Sequence, residues 1–239
     1  MPEALGVLLL ALAPPGANFV GGLLAEVLPI SKKALNRALH AAAGIVIAVV
    51  AVEIMPMSLE ALPAWALALA FLTGGVLYVL VNMAVRARSD ADEGSTRMWM
   101  IYLAVATDLF GDSLLLGAGA AVGIGPAVAA GLVLADMPEG FASILTFKEN
   151  DVPRRRRLLL SASFFLPALT SAGLAYVLLR GAGERVQLAF LVGAAGLLTI
   201  AAFEDIIREA HESQEDSQVS SLALIMGFAI FVLVSSGLG

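Results

Sequence analysis

Eight separate runs of mostly apolar residues, each long enough to cross a lipid bilayer, are the feature that most restricts what this chain can become. They fall at 4–26, 34–57, 63–85, 98–121, 124–146, 158–179, 186–207 and 219–238. A hydrocarbon core about 30 Å thick takes about 20 helical residues to cross. Within lipid, each backbone N–H and C=O must be satisfied inside its own segment, which leaves the α-helix for runs of this length. Charge is pushed between the runs: 14% of the residues are charged, against about a quarter in soluble domains. Too little polar surface remains to cover eight such helices in water. The sequence therefore reads as an all-α polytopic membrane protein with eight transmembrane helices, forming a single domain over 1–239.

The first run is preceded by MPE, which carries Glu3 and no basic residue, so it is expected to stay as a span rather than be cleaved as a signal peptide. The chain has no cysteine, which excludes disulfides and thiolate metal sites. A net charge of -6 and the lack of any nucleic-acid motif exclude a phosphate-backbone binder.

Basic residues orient the bundle. Of the 14 Lys and Arg residues, 12 fall in or beside the connections 1–2, 3–4, 5–6 and 7–8, including Lys32, Lys33, Arg37 and the run RRRR at 154–157. The opposite side keeps Arg180 and Arg185. Short loops rich in Lys and Arg stay cytoplasmic, so both termini are expected on the outer or periplasmic side of a plasma (inner) membrane. The RRRR run reads as topology and contact with anionic lipid. The longest polar connections are 86–97 and 208–218, and the latter could extend span seven beyond the bilayer.

Against this pattern, four carboxylates lie deep in spans four and five. Span four contains ATDLFGDSLLLG, with Asp108 and Asp112; span five contains VLADMPEGFA, with Asp136 and Glu139. Asp112 lies 15 residues from Arg97, about 22 Å of helical rise, and Glu139 lies 14 residues from Gly125, about 21 Å. Both pairs thus fall in mid-membrane. An i,i+4 and an i,i+3 spacing put each pair on one helix face. A charged carboxylate at the bilayer centre costs about 2.5–3.5 kcal/mol on insertion scales. The four need protons, a basic partner or a cation, and no Lys, Arg or His occurs from 98 to 147. Pro138 cannot donate to the carbonyl of Leu134, so a bend and a freed carbonyl are expected beside the carboxylates.

Other polar residues suggest a path. Glu53, with Glu60, could make an acidic entrance near the outer end of span two. Glu204, Asp205 and Glu209 could make an exit near the inner end of span seven, with His211 touching metal in transit. His40 and His211 are single and separated, so neither forms a ligand cluster alone. Met55 and Met57 read as space fillers.

These residues resemble the ZIP family of divalent-metal transporters, over nearly the whole chain. ADMPEG at 135–140 is similar to the family's HEIPEG or QDIPEG in helix five. DLFGDS at 108–113 stands where the family has HN(F/I)PEG, and EDIIREAHE at 204–212 is similar to its DELIPEAHR. SLALIMGFAIFVLV resembles the last helix. The resemblance implies a 3+2+3 arrangement, with helices 1–3 and 6–8 as inverted repeats around helices 4 and 5, and a homodimer. It implies a transport site of Asp108, Asp112 and Glu139, with Asp136 in a second, adjacent site bridged by Asp112 and Glu139. Ala135, Leu109 and Leu166 stand where the family has ligands and cannot serve. An all-oxygen set suits harder ions than zinc, although zinc accepts carboxylates.

The expected function is a secondary transporter carrying zinc, cadmium, iron, manganese or a similar ion toward the cytoplasm, by elevator-like or rocking alternating access. The metal is substrate, and no prosthetic cofactor is expected. The partners are divalent cations and membrane lipid, not nucleic acid. Enzyme activity is not expected, because no HExxH-like arrangement or mid-membrane histidine is present. The alternative is a non-transporting metal sensor or scaffold on the same fold.

Overall fold

A computed structural model describes residues 2–87, 95–212 and 218–237. Among them there is no strand, and eight helical stretches are long and apolar enough to cross a membrane. The protein is an integral membrane protein. Spans three, four, five, seven and eight are single helices: α5 (Ala64–Ala87), α6 (Ser95–Ala121), α7 (Gly125–Glu149), α10 (Glu184–Glu212) and α11 (Gln218–Ser236).

The other three spans are interrupted, each just before a proline. Span one is α1 (Pro2–Leu10) and α2 (Ala13–Val27). Pro14 and Pro15 cannot donate to the carbonyls of Leu10 and Ala11, and the chain turns there. Span two is α3 (Lys32–Ala48), a wide π segment (Val49–Ile54) and α4 (Met55–Ala61). Pro56 cannot bond the carbonyl of Val52, and the Met55 N–H reaches back to Val50 instead. Span six is α8 (Arg154–Ser163) and α9 (Phe165–Leu179), separated where Pro167 leaves the carbonyl of Ser163 without its helical donor. Pro138 has the same chemistry, yet α7 runs unbroken through it. Caps fix other ends. The Ser31 hydroxyl accepts from the Ala34 N–H at the start of α3, and Gly123 (φ 90°) turns the chain between α6 and α7.

The most extensive packing pairs α2 with α7, α6 with α9, α3 with α11 and α5 with α10. In addition α6 packs on α7, and α3 on α10. The result is two groups of four spans: one, four, five and six in the first; two, three, seven and eight in the second. They meet where α3 lies on α7 and α10 on α6. Each principal pair crosses at glycine. A Cβ on Gly140 would sit 1.8 Å from the Asn18 carbonyl oxygen, and one on Gly21 would sit 1.9 Å from that of Met137. Gly44 and Gly227 make the same approach between α3 and α11, Gly74 and Gly196 between α5 and α10, and Gly117 between α6 and α9. Small residues let backbones close in where lipid offers no hydrophobic drive to pack. Spans three and eight are the least enclosed by the bundle, with Trp65, Leu69, Leu72 and Leu80 on α5 and Leu222, Ile225 and Leu233 on α11 exposed as a lipid-facing surface requires.

Candidate metal site

The short turn at Gly123 folds α7 back along α6 and turns their acidic faces together. Asp112, Asp136 and Glu139 each offer an oxygen such that all lie within 4.8 Å of one another. Asp112 and Asp136 are buried, 4% and 1% exposed, and Glu139 is half-buried. Donors to one ion lie at most two metal–oxygen bonds apart, roughly 4–5 Å for bonds of 2.0–2.6 Å. The trio matches that limit with little closure needed. Neither oxygen of Asp136 has a hydrogen-bond partner among the described residues. A buried carboxylate that meets only other carboxylates is costly unless a proton or cation joins it, so the donor set fits an oxygen-liganded cation.

Asp112 and Glu139 also face a cavity of about 260 Å³. Asp108, one turn from Asp112, lies on its wall but outside the trio. The cavity separates the two helix groups: α6 and α7 supply the carboxylates, and α3 and α10 the facing wall, including His40, Val46 and Leu198. From Glu139 the wall continues through Ala142 and Ser143 to Thr146, toward the end of the bundle that carries Lys32 and Lys148.

Sequence reasoning passed over several buried polar side chains in this half of the bundle. Asn18 is fully buried where α2 crosses Gly140, and neither amide atom has a partner among the described residues. The same holds for the hydroxyls of Ser113, beside Asp112, and of Ser161 on α8. Their one signal in the sequence was a polar residue within an apolar run, as in GANFVGG. The cavity also draws in His40, which its position near the inner end of span two did not suggest. Leu166, the helix-six position suggested by family resemblance, is 69% exposed and turned away. Leu109 and Ala135 are fully buried.

Of the proposed path residues, Glu53, Glu60 and Glu204 are not among the described residues that line this cavity. Glu53 lies in the π segment and accepts a hydrogen bond from Ser235 of α11. Glu60 is exposed. Glu204 accepts from the Asn82 amide at 2.7 Å, which ties α10 to α5. Asp205, Glu209 and His211 lie on α10, but their side chains are outside the described residues, as are much of the 86–97 connection and residues 213–217.

The arginine run has a structural task. Arg157 grips Glu26 of α2 in a fork, Nε to Oε1 at 2.7 Å and Nη2 to Oε2 at 2.9 Å, while its Nη1 donates to the Val152 carbonyl. Arg154 and Lys148 approach the same carboxylate at 3.4 and 3.9 Å. Arg155 and Arg156 stay exposed. Comparison of the chain with protein-family models and with curated proteins finds no match.

Proposed function

We propose that this protein is a secondary transporter that moves divalent metal cations through the mid-membrane carboxylate site. The observation that carries the reading is the buried trio Asp112, Asp136 and Glu139 at the head of a cavity between two helix groups, in a stretch without a basic residue from 98 to 147. Such a site attracts a cation strongly enough to strip much of its water, yet opens to one end of the bundle for release. By the distribution of Lys and Arg, that end is the cytoplasm. Alternating access then amounts to one four-span group moving against the other. The carboxylates sit on α6 and α7 of one group, and the wall they face belongs to the other.

The helix pairings support the ZIP-like reading. Exchanging spans 1–3 for 6–8 and span 4 for span 5 maps the pairings onto one another. Span 1 on 5 becomes 6 on 4, span 2 on 8 becomes 7 on 3, and span 2 on 5 becomes 7 on 4. This is the pattern two inverted repeats produce around a central pair, with the substrate site at their junction.

The test is uptake of zinc, cadmium, manganese, iron(II), cobalt, magnesium and calcium into proteoliposomes, with Glu139→Ala alongside. Saturable flux that the substitution removes supports a carrier, and the panel names its substrates. Metal binding without flux for any ion means a sensor or scaffold instead. Normal flux in Glu139→Ala would put the pathway elsewhere.

A further inference from the structure

The cavity's facing wall holds a group that none of the carboxylate chemistry uses. His40 on α3 is 5% exposed and lines the same cavity as Asp108, Asp112 and Glu139. Its Nδ1 lies 2.9 Å from the carbonyl oxygen of Asn36, one turn earlier. A carbonyl only accepts, so Nδ1 carries a proton, and in the neutral tautomer that this bond selects the lone pair lies on Nε2. Nε2 has no hydrogen-bond partner among the described residues. The supporting turn is braced in its own right: the Asn36 side-chain oxygen accepts from Ser220 of α11 at 3.0 Å, and both residues are buried. Metal-binding histidines are commonly held in this way, with one ring nitrogen bonded to a backbone carbonyl so that the other is fixed as donor to the metal.

We infer that His40 is a metal ligand on the cavity wall, its Nε2 supplying a single imidazole to a pathway otherwise lined by carboxylates. The inference rests on the reading of the cavity as a cation pathway. Glu139 and Asp108 belong to one helix group and His40 to the other, so an ion held by a carboxylate and by Nε2 touches both groups at once. It also changes the expected selectivity. An all-oxygen route favours hard ions, whereas an imidazole station favours zinc and its neighbours over manganese, magnesium and calcium.

The chain contains two histidines, His40 and His211, which makes the test simple. The protein is purified without a histidine tag and loaded with zinc, and X-ray absorption at the zinc edge is recorded for the wild type, His40→Gln and His211→Gln. The expected result is an imidazole in the wild-type shell that persists in His211→Gln and is lost in His40→Gln. Zinc uptake in His40→Gln should fall about 10-fold relative to manganese uptake, the scale for losing a metal-supporting group. An oxygen-only shell in the wild type, or an imidazole that disappears with His211→Gln, overturns the inference whether or not His40→Gln folds. Glu139-dependent flux with an oxygen-only shell removes His40 alone. An imidazole shell without flux removes the transporter reading and keeps His40 as a binding residue.

Discussion

Glu26 and Asp136 both keep their carboxylates largely away from solvent, and both lie where α2 and α7 run together, yet their surroundings are opposite. The Glu26 side chain is 5% exposed and meets three cations, one of them forked onto both oxygens. Asp136 is 1% exposed and meets Asp112 and Glu139, with neither oxygen hydrogen-bonded among the described residues. The first is complete as it stands and holds helices together. The second has only like-charged neighbours, so its charge is costly unless a proton or a cation joins it. Burial of a charge alone does not separate structure from function here; the sign of the neighbours does.

The sharpest way to break this contrast is Glu139→Ala. Removing a carboxylate from the trio should lower metal flux by about 100-fold, equivalent to about 2.8 kcal/mol at 1.4 kcal/mol per factor of ten. Gly140→Ala comes next. Its methyl would meet the Asn18 carbonyl oxygen at 1.8 Å, so α2 must shift off α7, and thermal unfolding in detergent should record a loss of about 1–3 kcal/mol. Glu26→Gln should lower stability by about 2 kcal/mol, because Arg157 loses its forked partner while Arg154 and Lys148 can still reach water. Metal flux per folded molecule should survive; if flux disappears with the melting temperature unchanged, the division between the two carboxylates fails. Asp136→Asn should have the reverse signature, with the metal-free protein stabilised by about 1 kcal/mol through loss of an uncompensated carboxylate, and the rise in melting temperature on adding metal reduced. Smallest of all is Lys32→Ala. Its ion pair with Glu149, 2.8 Å long, is 89% and 58% exposed, and such pairs contribute about 0–1 kcal/mol, so the melting temperature should hardly move.

The legibility of each feature followed the range of the forces behind it. Eight spans could be read from the sequence because lipid imposes a length on every apolar run, whatever its neighbours. The helix breaks fall beside prolines, whose missing N–H is local, but α7 runs unbroken through Pro138, so the proline alone does not decide a break; the π segment before Pro56 is one that reading for length alone passed over. The acidic faces of α6 and α7 followed from the 3.6-residue period, and the lack of basic residues from 98 to 147 made their charge conspicuous.

The tertiary structure decided which elements meet. Close backbone approach at Gly21 and Gly140 puts α2, and with it Asn18, against the PEG segment, although 119 residues separate Gly140 from Gly21. The same packing brings Arg157 to Glu26, 131 positions earlier, and turns part of an apparent topology signal into an internal tie. It leaves Asp108 on the cavity wall beside the trio, directs Leu166 outward, and seats His40 across from the carboxylates. Hydropathy and helical period act within a single segment. Pairing between segments depends on which small residues let two backbones touch, and that complementarity exists only once both helices are side by side.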